Sequence, residues 1–155
     1  MKLTLFLLAA GFVLTAYLAS AHDAPGHKML TPADIAWAPA PPSLPPGASA
    51  AVLYGDPAKE GLFAMRLKFP KGYRIPAHTH PKPEVITVIS GTFRLGLVGD
   101  RGPVKAFPAG SFVAMEPGLA HFAGADEETV VQLNSTGPWA ITYLDRRDDP
   151  RTMAR

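Results

Sequence analysis

Residues 72–91 read GYRIPAHTHPKPEVITVISG, and the fold turns on how this stretch is arranged. If the segment around His78 and His80 is extended, side chains two positions apart leave the backbone on the same side, so both imidazoles converge without help from a helix. Pro81 and Pro83 then stiffen a bend that returns Glu84 to their neighbourhood. Two imidazoles and a carboxylate are donors of the kind a transition ion takes. On spacing alone the competing reading is a polar turn with two solvated histidines and a strand-end charge. The continuation EVITVI, Glu84 to Ile89, is rich in β-branched residues and turns at Ser90-Gly91. On such a strand Ile86 and Val88 share a side with Glu84, while Val85 and Ile89 face the other way. Both sides are apolar. One fills a core, and the other has to be covered by another sheet, an arm of the chain or a second copy, which sets the expectation of a homodimer.

The rest of the chain supports short strands. Its 155 residues include 17 prolines and 14 glycines, too much punctuation for a helical bundle. Runs at 51–54, 62–69, 84–89, 92–98, 104–107, 112–115, 129–133 and 139–144 are separated by Gly and Pro turns, which predicts an all-β sandwich or small barrel. No cysteine is present, so disulfides, thiolate metal sites and a cysteine nucleophile are excluded together. Fifteen basic against thirteen acidic residues give a net charge of +2, with the basic groups scattered, so there is no case for nucleic acid as a partner. The apolar run from Leu3 to Leu18, followed by Ala19-Ser20-Ala21, reads as a signal peptide over 1–21, placing the protein in the periplasm or outside the cell with no stable membrane insertion after cleavage. Residues 22–47 carry seven prolines and read as an extended arm that Ile35, Trp37 and Leu44 pin across an apolar surface. Residues 48–145 form the barrel domain, and 146–155 a frayed surface tail.

Taken whole, residues 72–91 resemble the first conserved motif of the cupin superfamily: glycine, five residues, His-x-His, three or four residues, glutamate, six residues, glycine. Gly72, His78, His80, Glu84 and Gly91 meet it at every position. The second motif is matched in part by Gly110, Gly118 and His121; Glu116 stands where a proline is expected, with Pro117 displaced by one, and Ala125 stands in place of an asparagine. The resemblance spans roughly residues 51–144. It implies a double-stranded β-helix, or jelly-roll, barrel in which His78, His80, Glu84 and His121 bind one divalent transition metal. That donor set suits Fe, Mn, Zn, Ni, Co or Cu and does not choose among them.

Beyond these four, Glu116 is the candidate catalytic acid or base, five residues before His121. Gln132 and Asn134 share a strand face and either point into the cavity or to solvent. Met65, Phe93 and Met115 read as barrel packing. His22, which would begin the mature chain, is a minor copper-chelating candidate through its amine and imidazole, and His27 reads as solvated. The leading functional expectation is an exported mononuclear metal-binding cupin acting as an oxygen-dependent oxidoreductase on a small organic substrate. The alternatives are a non-catalytic metal or small-ligand binding or sensor module, of the ChrR-like type the resemblance includes, and an isomerase. An enzyme calls for a cavity with a polar group beyond the metal; a binding module calls for an apolar or closed one.

Overall fold

The computed structural model describes residues 27–153. The expected signal peptide and His22 lie outside the described residues. The strands, in chain order, are β1 (Ala38–Pro39), β2 (Ser49–Tyr54), β3 (Gly61–Phe69), β4 (Arg74–Thr79), β5 (Glu84–Ser90), β6 (Thr92–Leu97), β7 (Lys105–Pro108), β8 (Phe112–Met115), β9 (His121–Ala125), β10 (Thr129–Gly137) and β11 (Thr142–Tyr143). They form two antiparallel sheets, one ordered β1-β2-β3-β10-β5-β8 and the other β11-β4-β9-β6-β7. This is the expected jelly-roll sandwich, with side chains of the two inner faces meeting between the sheets. Among the described residues no helix is long and apolar enough to cross a membrane.

Period-two alternation decides which side chains enter the core. In β3, Phe63, Met65, Leu67 and Phe69 are buried while Ala64, Arg66 and Lys68 between them are half-buried on the outer face. β10 lies between β3 and β5, with Val131 and Leu133 inside and Gln132 and Asn134 outside. β5 carries Glu84, Ile86 and Val88 inward, as its sequence parity requires. Met65, Phe93 and Met115 all join the core. The outer face of β5 is not covered by the arm: Val85 is half-buried, and Ile89 and the nearby Phe112 of edge strand β8 are exposed.

Two strands lack a sequence signature of their own. β9, HFAGA, has no β-branched residue, because it packs where backbones approach closely. A Cβ on Gly124 would lie 2.7 Å from the backbone carbonyl oxygen of Tyr73, just before the paired strand β4, and one on Gly96 of β6 would overlap the ring of Phe122 opposite it. β4 contains Pro76 and an irregularity between Ile75 and His78, after which His78 pairs directly with His121 of β9.

The termini depart from expectation in part. The arm is pinned as expected, but across more than one surface: Trp37 lies under the Lys68 ammonium, 4.4 Å from its ring centroid, β1 pairs with β2, and Leu44 is buried inside the sandwich. The run 139–144 is a strand only at Thr142–Tyr143; Pro138 supplies no N–H, and Trp139 instead bonds to Pro57 O through its own backbone N–H. The tail is not frayed over 146–153. A short turn at Arg146–Asp148, whose preceding Asp145 accepts from Arg147 N–H, leads into a single helical turn, α1 (Pro150–Met153), and Arg151 donates to the carbonyl of Ile141 at 3.0 Å.

Candidate metal centre

His78, His80, Glu84 and His121 come together between the sheets, and each is at most 5% exposed. The ladder pair His78–His121 joins the two halves of the site across β4 and β9. His80 follows β4 at the start of the Pro81–Pro83 bend, and Glu84 opens β5. A turn from the second motif locks onto this bend. Glu116-Pro117-Gly118-Leu119 closes with Leu119 N–H donating to Glu116 O at 3.2 Å, Pro117 at its second position and Gly118 at φ +79° in the third. That is a type II turn, whose third position favours glycine. Gly118 N–H then donates to His80 O at 2.8 Å.

The proton positions follow from the acceptors. Nδ1 of His78 lies 2.6 Å from Pro76 O, Nδ1 of His80 2.8 Å from Ala140 O, and Nδ1 of His121 3.0 Å from Leu119 O. A carbonyl oxygen only accepts, so each Nδ1 carries the hydrogen and each Nε2 is left with a lone pair. One ring nitrogen from each of the three histidines lies within 4.8 Å of the other two, close enough for all three to bind one metal ion. Glu84 lies outside that tight group but borders it, with Oε2 3.3 Å from His80 Nε2 and 3.8 Å from His121 Nε2. Its other oxygen, Oε1, accepts from Trp139 Nε1–H at 3.0 Å, and the Trp139 ring stacks on His80 with centroids 5.5 Å apart.

Burial sets the charge state. It drives the His78 pKa down to about 4, with His121 nearby adding to the fall, and that of His80 to about 3, with His78 and His121 adding; His121 is lowered by burial as well. Burial also raises Glu84 to about 7, against the Trp139 hydrogen bond, which opposes the rise. The close His80–Glu84 and His121–Glu84 approaches are therefore not ion pairs in the metal-free protein; both partners are neutral in mildly acidic solution. Neutral imidazoles with oriented Nε2 lone pairs and backbone-anchored Nδ1–H groups are the protonation state a metal requires. The residues fit the ion that the sequence pattern implies.

The cavity these groups face has a volume of about 30 Å³. Besides the three histidines and Glu84 its walls are apolar or aromatic, among them Leu44, Phe69, Phe93, Leu133, Trp139 and Ile141. Glu116 does not reach it. The residue is exposed, and what it contributes in this structure is the backbone carbonyl that closes the turn. Gln132 and Asn134 bond to each other on the outer face, and Gln132 Oε1 accepts from Arg66 Nε, so neither enters the cavity. Arg74 and Arg94 both pair with Asp126, and His27 is exposed. A second cavity, of about 180 Å³, lies between β7 and β8 and is lined by neither the three histidines nor Glu84; Leu97, opposite His121, and Met115, opposite Glu84, form part of its wall. Sequence reasoning missed Trp139 as a partner of Glu84, and Tyr73 and Tyr143 as anchors of the arm. Only the need of a buried indole N–H or phenol for a partner marks such residues in advance.

A family model described as the ChrR cupin-like domain matches residues 25–140. No curated protein matches the chain. Among solved structures, the polyketide cyclase RemF from Streptomyces resistomycificus superposes with a TM-score of 0.65 at 16% identity, covering 80% of this chain and 89% of that one. A putative acetylacetone dioxygenase from Methylibium petroleiphilum gives 0.61 at 16% identity over 80% and 85%. An RmlC-like cupin from Shewanella frigidimarina gives 0.56 at 17% identity over 71% and 90%. At these identities the likeness is one of fold, and it carries no reaction with it.

Proposed function

We propose that this chain, which belongs to the ChrR cupin-like domain family, is a mononuclear metal-binding module whose ion is held by His78, His80, Glu84 and His121 and faces a small apolar chamber. One observation carries this reading over a catalytic one: the chamber measures about 30 Å³, and among the described residues the only polar side chain lining it besides the four donors is Trp139, already bonded to Glu84. Turnover of an organic molecule needs space for it and a group that moves its protons. The oxidoreductase reading would require Leu97 and Met115 to yield so that the larger neighbouring cavity opens onto the donors. The isomerase reading lacks a cation, since Arg66, Lys68, Arg74 and Arg94 do not line the chamber.

When bound, the ion supplies a Lewis-acid or redox centre beside the chamber. The chain's own contribution is orientation and charge. The carbonyls of Pro76, Leu119 and Ala140 fix the three imidazoles as Nε2 donors, and Trp139 holds one carboxylate oxygen so that the other faces His80 and His121. Glu84 gives up its proton on binding, which lowers the charge of the filled site by one and ties affinity to pH. We further propose an exported protein that works as a homodimer with a small molecule or ion as its ligand. The apolar outer face of β5 and Phe112 support the dimer, and the leader sequence supports export.

The test is metal analysis of purified wild-type, His80→Ala and His121→Ala proteins, each offered Zn²⁺, Fe²⁺ and Mn²⁺. The wild type should hold one ion per chain and both variants should lose most of it; full content in both variants removes the assignment. Turnover of an organic substrate by the loaded protein in an oxygen-consumption screen would replace the module by an enzyme.

A further inference from the structure

The arm enters the sandwich at one residue. Around it, Tyr73 Oη–H donates to Pro45 O at 2.5 Å and Tyr143 Oη–H donates to Ser43 O at 2.7 Å, so the carbonyls on either side of Leu44 are both held by phenols of the barrel. The loop is also closed on itself, Leu44 N–H to Pro41 O at 2.9 Å and Ala40 N–H to Ala48 O at 3.0 Å. Leu44 itself is 4% exposed and lines the same chamber as His78, His80, Glu84 and His121. Tyr143 connects strap and donors, since its ring centroid lies 5.9 Å from that of His78. A loop fixed at both flanks of one inward leucine does not adapt to a guest as a mobile lid would.

We propose that Leu44 is a fixed stop that sets the size limit of the metal chamber, admitting ligands of a few heavy atoms and excluding ring-sized ones. The inference rests on the metal reading of the site and names the class of exogenous ligand it takes. At about 10–15 Å³ of such free space per enclosed water, about 30 Å³ accommodates roughly two waters. A small ion or a linear triatomic is therefore near the limit, and a five-membered ring is beyond it. Replacing Leu44 with alanine removes three carbon atoms from the wall and leaves both anchoring carbonyls in place.

The experiment uses the full mature chain loaded with Co²⁺, whose visible absorption reports on its ligands. Azide and imidazole are titrated into wild type, Leu44→Val and Leu44→Ala. Azide should change the spectrum in all three with similar affinity, whereas imidazole should bind in rank order Ala above Val above wild type, with a gain of at least about tenfold from Leu to Ala. Wild type taking imidazole as readily as azide, or a flat imidazole series, overturns the proposal. A second arm needs no metal. In chelator-treated protein, benzene should raise the unfolding temperature of Leu44→Ala and leave that of wild type unchanged, because a ligand stabilises only the form that can hold it. An unchanged Leu44→Ala would count against the stop. Loss of all cobalt binding with this benzene effect intact would remove the metal reading and leave the stop standing.

Discussion

The metal-free protein should lose stability steeply as the pH falls from about 6.5 toward 4. His78 and His80 keep pKa values of about 4 and about 3 in the fold, and His121 is lowered too, against an ordinary 6.5. Over that interval the unfolded chain takes protons the native site refuses, so this contribution is present above about 6.5 and is lost as the pH falls through the native values. Glu84 works in the opposite sense. Its native pKa of about 7 exceeds the ordinary 4.5, so it stabilises the fold fully only below the lower value, and that contribution is lost as the pH rises through about 7. At about pH 5.5 two to three protons taken up by unfolded imidazoles stand against one retained by Glu84, a net uptake of one to two on unfolding. At about 1.4 kcal/mol per proton per pH unit, stability should fall by on the order of 1–3 kcal/mol for each unit of acidification. That is a large fraction of the roughly 5–15 kcal/mol a domain possesses. Exposed carboxylates such as Asp126 and Asp145, whose pKa values are lowered by arginine partners, enter only in more acidic solution. Urea unfolding in excess chelator at half-unit steps from pH 7 to 4.5 measures the slope. A stability that changes by less than about 0.5 kcal/mol between pH 6.5 and 5 would refute the buried neutral cluster.

Trp139→Phe should retain the fold but weaken metal binding by about 10–100-fold, the usual cost of removing a hydrogen bond that orients a ligand, as read by competition with a chelating dye; unchanged affinity would detach the indole from the site. Glu116→Gln should leave metal content unaltered and stability within about 0.5 kcal/mol, because the turn uses only its backbone, and a loss of metal would return the carboxylate to the site. Light scattering at micromolar concentration should give a dimer that Phe112→Lys converts to monomer, whereas a monomeric wild type leaves the β5 outer face without a partner. Intact mass of the exported protein should lack residues 1–21, and a mass that includes them would imply a retained anchor.

Much of this was legible because the β-barrel writes its inner face in parity. The order Glu84, Ile86, Val88 and the alternation of residues 62–69 foretell which side chains face inward, and the three histidines at fixed motif positions meet, with Glu84 beside them. The losses have a physical pattern as well. β9 is invisible to propensity because its Gly124 answers to the close approach of the Tyr73 backbone, a long-range demand that no local window contains. Glu116 invited a chemical reading because a charge replaced an expected proline, yet the shifted Pro117-Gly118 pair builds a turn that uses the residue for its carbonyl. Parity also left Gln132 and Asn134 free to face either way; burial of their neighbours Val131 and Leu133 places them outside. The tail looked frayed because its charges had no visible partners, and the Arg151 bond to Ile141 O spans ten positions, beyond a local reading.

The stacking of Trp139 on His80 gives the molecule a built-in optical reporter. The chain has two tryptophans, and they occupy opposite situations: Trp37 lies beneath an ammonium on the outside of the sheet, and Trp139 lies one ring away from a donor. An open-shell ion coordinated by His80 would drain the excited state of the inner indole and leave most of the outer one's emission intact. Occupancy could then be followed in real time, without label or dialysis, as a partial loss of fluorescence that a closed-shell ion such as Zn²⁺ would not produce.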